Sequence, residues 1–277
     1  MSLKSNTDNL VSIITSTFNN QETIEECWNS VKAQTYKNWE WILVNDGSTD
    51  GTQEVLLKFR DERIRTVYFR ENHGVSYGRN HALKMAKGNF ICFLDGDDTL
   101  PNKSIESRVN AFEDQIDFVD GSTRILFEGN DLPEKIRSSS FYGDPLDQLL
   151  QISPLVFFGQ TWMIRNKSGT DYEFDNSLDH GEDLLFFISL ATGGHLKCID
   201  DLVLNYRKRV GSATSNIFGI EKGYYQSYAR ILKFNHISKK QAKIFRNKTA
   251  SIMIKTYLKA YDFRSVLRVI YRFYVKI

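Results

Sequence analysis

The stretch Phe90-Ile91-Cys92-Phe93-Leu94-Asp95-Gly96-Asp97-Asp98 joins an apolar run to three carboxylates within four positions. A run that is apolar on both faces is typical of a strand in a parallel sheet that helices cover on both sides. Such sheets bind ligands beyond the carboxyl ends of their strands, and Asp95 follows the run directly. The stretch therefore predicts a buried strand that presents an acidic cluster at the edge of the sheet.

The residues before this stretch alternate between short apolar runs and segments with helical periodicity. We predict strands at 10–15, 39–44 and 64–69, and helices at 22–34, 52–59 and 75–86. This alternation indicates an α/β fold with a mostly parallel, doubly wound sheet. From about residue 115 the pattern loosens. We expect a mixed second half there, with strands at 116–119, 122–127, 161–165 and 202–206 and a helix at 181–191, followed by basic helices.

The composition is that of an ordinary globular protein, with 41% hydrophobic and 25% charged residues. Disordered, collagen-like and repeat architectures are therefore poorly supported. Three cysteines lie far apart without metal-type spacing, which favours a reducing, cytoplasmic compartment. The first residues lack the pattern of a signal peptide, and no window has the roughly 18 apolar residues of a membrane span.

The acidic cluster of Asp95, Asp97 and Asp98 has two interpretations. Three neighbouring carboxylates repel one another unless a cation neutralises them, and hard oxygen ligands favour Mg²⁺ or Mn²⁺. The alternative is a polar turn in which Asp98 or Thr99 caps a helix that begins near Pro101. The spacing by itself leaves both interpretations open.

Two further polar turns follow predicted strands. Asp46 comes directly after the second strand, where its carboxylate could accept the imide N–H of a uracil ring or could simply belong to a turn and helix cap. Arg79 lies one turn into the helix that Gly74 opens, and a solvent-exposed arginine is the alternative there. The segment 72–80 is not a G-x-G-x-x-G motif, so a nicotinamide-binding fold gains no support.

Taken together, these segments resemble the family 2 glycosyltransferases in order and spacing over roughly residues 10–210. The matching segments are Val11–Asn19, Asn45–Thr52, Asn72–Asn80 and Leu94–Asp98. The resemblance implies an inverting enzyme with the GT-A fold. It implies a glycosyltransferase domain at 1–215, with a nucleotide-sugar-binding half at 10–115 and an acceptor half at 116–215, and a basic helical region at 216–277.

The resemblance also implies a role for each matching position in the first half. The implied roles are Thr17 and Asn19 lining the nucleoside pocket, Asp46 binding the uracil edge, Arg79 holding the base or ribose, Asp95 and Asp97 binding ribose and metal, and Asp98 acting as a further metal ligand. The implied cofactor is Mn²⁺ or Mg²⁺, and the implied donor is a nucleotide-diphosphate sugar, with UDP-sugar preferred.

The second half contains His180-Gly181-Glu182-Asp183, which resembles the Glu-Asp motif of the family. In that role Asp183 is the general base that removes the proton of the acceptor hydroxyl, and Glu182 contacts the acceptor. The alternative is that both acids only favour a helix N-terminus through the helix dipole. We also expect Trp162 to form an acceptor wall, because aromatic faces stack on sugar rings.

The sequence departs from the family pattern at several positions. Ser16, Phe18 and Asn45 replace the usual residues of the first two motifs, where they mainly shape loops. In the segment 206–209, many relatives have a histidine at the fourth position, where this chain has Arg209. We infer that Arg209 pairs with diphosphate oxygens instead.

The C-terminal segment is strongly basic although the whole chain has a net charge of only +2. Residues 221–277 contain 14 Lys or Arg and two acids, so residues 1–220 contain 22 basic and 32 acidic side chains. Four of the cations recur every four positions, at Arg264, Arg268, Arg272 and Lys276. We expect either a helix at 261–277 that contacts an anionic membrane surface, or one packed on the body of the protein. Nucleic-acid binding is not expected, since no recognisable module is present.

The sequence thus predicts a bacterial, metal-dependent glycosyltransferase of polysaccharide biosynthesis with a glycan or lipid-linked acceptor. It would be cytoplasmic or peripheral on the inner face of the cytoplasmic membrane. One rival is a metal-dependent nucleotidyltransferase, but Ser16–Asn20 lacks the Gly-rich, Lys- or Arg-bearing loop that this class needs. The other rival is a catalytically inactive nucleotide-sugar binding protein, against which the intact Asp95, Asp97 and Asp183 argue.

Overall fold

The structure is a computed structural model that describes residues 9–129, 132–157, 159–168, 170–208 and 216–275. Its strands are β1 (Val11–Thr17), β2 (Trp39–Asp46), β3 (Ile64–Phe69), β4 (Phe90–Phe93), β5 (Ile116–Phe127), β6 (Lys135–Arg137), β7 (Tyr142–Gly143), β8 (Met163–Arg165) and β9 (His195–Lys208). Its helices are α1 (Ile24–Lys32), α2 (Thr52–Leu56), α3 (Val75–Leu83), α4 (Ser104–Asn110), α5 (Leu146–Leu150), α6 (Glu182–Leu190), α7 (Ile217–Ile231), α8 (Lys239–Lys259) and α9 (Phe263–Tyr274).

The first half of the sheet is parallel, in the order β3-β2-β1-β4. Alternate residues of each strand point to opposite faces, so that Ile13 packs in one hydrophobic cluster and its neighbour Ile14 in the other. Both faces of β1, β2 and β4 are therefore covered and buried, whereas the edge strand β3 is half-buried. This arrangement confirms the predicted α/β alternation, and the boundaries of β3 are those expected from the sequence.

The second half of the sheet is mixed, as predicted. β8 pairs antiparallel with both β4 and β5, whereas β9 runs parallel to β5. The separate strands predicted at 116–119 and 122–127 are one strand, because β5 continues through irregular pairing near Asp120 and Ser122. The strand predicted at 202–206 is longer, since β9 begins at His195 and is paired along β5.

The C-terminal helices pack on the body rather than extending from it. Two glycines of α7, Gly219 and Gly223, allow a very close approach to His180, since a Cβ on Gly223 would lie 2.2 Å from the His180 carbonyl oxygen. Tyr228 and Ile231 of the same helix belong to the main hydrophobic core. α7 is therefore seated directly beside the N-terminus of α6. Within the described part of the chain, no helix is long and apolar enough to cross a bilayer.

α9 is attached to α7 by a buried ion-pair network. Glu221 of α7 is fully buried, and its carboxylate accepts hydrogen bonds from Arg268 at 2.8 Å and Arg272 at 2.7 Å. The hydroxyl of Tyr257 in α8 donates to the same carboxylate at 2.9 Å. Two members of the predicted basic stripe therefore face the protein. Lys276 lies outside the described residues.

Candidate active site

The acidic cluster lies where the sequence placed it, immediately after β4. Oxygens of Asp95, Asp97 and Asp98 lie within 4.8 Å of one another. Gly96 permits this tight turn, because a Cβ there would lie 2.7 Å from the hydroxyl oxygen of Thr17. The cluster is consequently packed against the end of β1, at the carboxyl edge of the parallel sheet.

Asp98 is the most buried of the three carboxylates, with 1% of its surface exposed. Its Oδ1 accepts a 2.7 Å hydrogen bond from the backbone N–H of Arg207, whereas its Oδ2 has no hydrogen-bond partner among the described residues. Burial, together with the charges of Asp95 and Asp97, raises the pKa of Asp98 well above its ordinary value. A buried carboxylate oxygen without a donor is what a divalent cation would compensate, so the cluster fits Mg²⁺ or Mn²⁺.

Arg79 connects the acidic cluster to the second half of the chain. Its guanidinium is almost completely buried and donates to Asp95 at 2.8 Å and to Asp183 at 2.6 Å. Burial opposes the charge of Arg79, but the two carboxylates hold its pKa above the ordinary value. The structure therefore contradicts the alternative of a solvent-exposed arginine. It also shows that Asp95 and Asp183, both predicted site residues, bind the same guanidinium.

Asp183 and Glu182 form the first turn of α6, after Gly181 in the left-handed conformation at φ 80°. Burial raises the pKa of Asp183 above its ordinary value, although Arg79 opposes this shift. Burial, reinforced by the charge of Asp183, raises the pKa of Glu182 to about 7. Two neighbouring acids with raised pKa values beside a cavity are typical of proton-transfer sites.

The cavity beside these acids has a volume of about 500 Å³. Its walls come from both halves of the sheet and from the C-terminal helices. Among the lining residues are Arg79, Asp95, Gln160, Glu182, Asp183, Tyr206, Ile220 and Tyr224. A cavity of this size with convergent acids and one buried cation is large enough for a sugar with part of its diphosphate.

The three residues predicted to bind the nucleoside make hydrogen bonds within the protein. The carboxylate of Asp46 accepts the backbone N–H groups of His73 at 3.0 Å and Gly74 at 2.8 Å, so it holds the turn before α3. Thr17 is buried and donates to Asn20 at 2.8 Å. Asn19 remains exposed. Their contacts with a base or ribose stay predictions.

The prediction for Trp162 is wrong, and that for Arg209 falls outside the described residues. Trp162 is fully buried, its indole N–H donates to the carbonyl of Phe157, and its ring packs on Phe118 and Phe187. It cannot form an acceptor wall, because its apolar area stabilises the core instead. β8 begins at Met163, so Trp162 lies just before the strand that was predicted at 161–165. A single aromatic residue there has no sequence signal that distinguishes these two uses.

Two site residues were not predicted from the sequence. Gln160 donates a 2.7 Å hydrogen bond to Asp95, and Arg207 binds the carbonyl of Asp97 at 2.8 Å while pairing with Glu26 and Glu128. Arg207 lies in the segment 206–209, which the sequence analysis singled out for Arg209. The contact of Arg207 with the acidic cluster was not predicted. Nothing in the sequence singles out Gln160.

The family model described as "Glycosyl transferase family 2" matches residues 12–170, which is more than half of the chain. The chain belongs to glycosyltransferase family 2. This membership confirms the resemblance inferred from the four sequence motifs.

Individual relatives support the same family. Over 102 residues the chain is 42% identical to the Bacillus subtilis glycosyltransferase TuaG, a match covering 36% of this chain and 40% of TuaG. Over 120 residues it is 38% identical to WfgD of Escherichia coli, a UDP-Glc:alpha-D-GlcNAc-diphosphoundecaprenol beta-1,3-glucosyltransferase, covering 43% of this chain and 47% of WfgD. The chain thus matches less than half the length of either relative.

A solved structure agrees with the fold over nearly the whole chain. Staphylococcus aureus TarS 1–349, in complex with UDP-GlcNAc, superimposes with a TM-score of 0.72 at 20% identity. The match covers 95% of this chain and 80% of that chain. The predicted mostly parallel sheet, mixed second half and helical C-terminal region are confirmed by this likeness.

Proposed function

We propose that this family 2 chain is an inverting glycosyltransferase that moves a sugar from a UDP-sugar to a hydroxyl of a glycan or lipid-linked acceptor. The observation that carries the proposal is that Asp183 and Asp95, the first residue of the acidic cluster, line one cavity and share the guanidinium of Arg79. The donor and the general base would then occupy neighbouring positions. TarS, with its bound UDP-GlcNAc, and WfgD, with its UDP-glucose donor, support UDP as the nucleotide.

In the proposed reaction, Asp183 accepts the proton of the acceptor hydroxyl while the acceptor oxygen attacks the anomeric carbon. A bond forms between these two atoms, and the bond from the anomeric carbon to the diphosphate oxygen breaks on the opposite face, which inverts the configuration. The raised pKa of Asp183 suits it to this role, because a stronger base accepts the proton more readily. Glu182, on the same helical turn, would hold the acceptor.

Asp95, Asp97 and Asp98 would hold the divalent cation, Mn²⁺ or Mg²⁺, together with the diphosphate. When bound, the cation stabilises the negative charge that develops on the leaving UDP. Thr17, Asn19 and Asp46 would bind the nucleoside, and we assign diphosphate contact to Arg209. The buried, unpartnered Oδ2 of Asp98 supports this use of the cluster.

The acceptor side of the proposal rests on WfgD, whose acceptor is a sugar diphosphoundecaprenol. A lipid-linked acceptor of this kind would require the chain to work peripherally at the inner face of the cytoplasmic membrane. Bacterial polysaccharide assembly is the corresponding process.

The test is UDP release from a panel of UDP-sugars with Mn²⁺, using wild type and Asp183→Asn. We expect Asp183→Asn to lose at least about a hundredfold in turnover, the usual contribution of a general base, while thermal-shift titration gives unchanged donor affinity. The matched control is Asp114→Asn, an exposed acid outside the cavity. Product NMR reports the anomeric configuration.

Binding without turnover in both proteins would instead favour an inactive nucleotide-sugar binder. Pyrophosphate release from a nucleoside triphosphate would favour a nucleotidyltransferase. A retained anomeric configuration would contradict the inverting mechanism.

A further inference from the structure

α9 presents an apolar face to solvent. Leu267 is 68% exposed and Phe263 is 62% exposed, although both are large hydrophobic side chains. The exposed apolar residues recur at helical spacing along one side, at Phe263, Leu267, Ile270, Tyr271 and Tyr274. Single exposed hydrophobic residues are common, but five on one helical face form a patch that normally has a partner. We call these five residues the α9 apolar face.

The orientation of this face is set by the opposite side of the helix. Val269 and Phe273 pack in the core formed with α8, and Arg268 and Arg272 are tied to the fully buried Glu221. Rotating α9 to bury its apolar face would leave the Glu221 carboxylate buried without its cations, which is costly. The exposure of the apolar face is therefore built into the fold.

The surroundings of the α9 apolar face are basic. Residues 221–275 include only two acids, Glu221 and Asp262. Glu221 is buried and paired with arginines, and Asp262 caps α9 by accepting the N–H of Ser265 at 3.0 Å. Arg264 is exposed next to Phe263. Arg246 of α8 lies over the ring of Tyr274, 4.8 Å from its centroid. The exposed hydrophobic residues are thus bordered by positive charge.

We propose that the α9 apolar face docks on an anionic lipid bilayer. Aromatic and aliphatic side chains on one helical face, bordered by arginines, match the chemistry of the headgroup region, where rings and apolar chains insert and cations meet lipid phosphates. A second copy of this chain fits less well, because two such faces would bring like charges together. The docking surface is the apolar side of α9, whereas two arginines of the sequence-predicted stripe point inward.

Docking would also fix the position of the active-site cavity, and this step rests on the proposed function. Ile220 and Tyr224 of α7 line the cavity, and Glu221, between them on the same helix, holds α9. One rigid helix therefore contacts both the cavity and the docking helix. A bilayer bound to α9 would present lipid-linked acceptors at a constant distance from Asp183.

The test is flotation of the full chain with vesicles of phosphatidylcholine alone and with about 30 mol% phosphatidylglycerol, an anionic lipid. We expect binding to the anionic vesicles only, and about a tenfold or greater loss in the double variant Leu267→Glu, Tyr271→Glu, because inserted carboxylates oppose both burial and the anionic surface. The control is the double variant Leu57→Glu, Tyr142→Glu, which places the same two charges at another exposed leucine and another exposed tyrosine and should float like wild type. Circular dichroism melts verify that each variant is folded.

Equal flotation of wild type and the double variant, or no flotation of wild type, would overturn the proposal. A wild-type dimer that the double variant abolishes, seen by light scattering without vesicles, would identify the face as a self-association surface instead. UDP release without vesicles should be the same in the double variant as in wild type. If neither wild type nor the double variant releases UDP, the proposed function is contradicted. The flotation result then still decides the lipid-docking proposal.

Discussion

Arg79 and Asp183 are 104 positions apart in the sequence, and a 2.6 Å hydrogen bond joins their side chains. The other terminal nitrogen of Arg79 binds Asp95 at 2.8 Å. One buried guanidinium therefore joins the carboxyl edge of the parallel sheet to the first turn of α6. The rings of Phe93 and Phe174 lie within 5.8 Å and 5.3 Å of this guanidinium carbon, so its position is also restricted by packing.

Replacing Arg79 by lysine should impair both stability and turnover. An ammonium group keeps the charge but cannot donate to two separated carboxylates as a planar guanidinium does. We expect Arg79→Lys to lower the free energy of unfolding by about 1–3 kcal/mol, measured by urea titration, and kcat/KM by about tenfold or more. Arg70→Lys, at an exposed arginine, is the control and should change stability by less than about 1 kcal/mol. Unchanged turnover in Arg79→Lys would contradict the connecting role.

Gln160 should support donor binding through Asp95. Its side-chain amide donates to the Oδ2 of Asp95, while Arg79 donates to Oδ1. Gln160→Ala removes one of these two donors, so we expect donor KM to rise by about three- to tenfold in steady-state assays, equivalent to about 1 kcal/mol. Gln115→Ala is the control, since Gln115 makes a comparable bond to Glu113 on the surface. Equal donor KM values in both variants would show that Gln160 is dispensable.

Glu182 should make the fold less stable as the pH rises. Its pKa is about 7, against an ordinary value of 4.5, so the folded state favours the protonated form. Stability from this group is complete below pH 4.5, is lost as the pH rises from 4.5 to about 7, and stays low above that. Glu182→Gln should therefore raise Tm more at pH 8 than at pH 4, measured by differential scanning calorimetry.

The matched control for Glu182 is Glu173→Gln, which removes the same charge from an exposed position. It should leave the difference in Tm between low and high pH unchanged. If Glu182→Gln and the control have the same pH dependence, the raised pKa of Glu182 has no consequence for stability.

Trp162 should matter for stability and not for the acceptor. Trp162→Phe shortens a fully buried ring and leaves the carbonyl of Phe157 without its indole donor. We expect a loss of about 1–3 kcal/mol in the free energy of unfolding. The acceptor KM of the folded variant should remain within about twofold of wild type, because the ring does not line the cavity. A selective rise in acceptor KM with unchanged stability would restore the acceptor-wall interpretation.

The sequence by itself determined the parallel half of the fold and the place of the acidic cluster. Apolar runs at strand spacing, alternating with helical periodicity, indicate β1 to β4 and their covering helices, since each pattern is local. Asp46 and Asp95 each fall where a parallel strand ends, and such ends meet at one edge of the sheet. The four motifs therefore identified the family without knowledge of distant contacts.

The tertiary structure alone decided how the halves meet. Periodicity shows that a residue belongs to an apolar or polar face, but it does not show what that face contacts. Trp162 was consequently expected at a ligand and lies in the core. Arg268 was expected either at a membrane surface or on a helix packed on the body, and it binds the buried Glu221. The pairing of Arg79 with Asp183 spans 104 positions and depends on α3 and α6 packing in the same hydrophobic core, which no local pattern encodes.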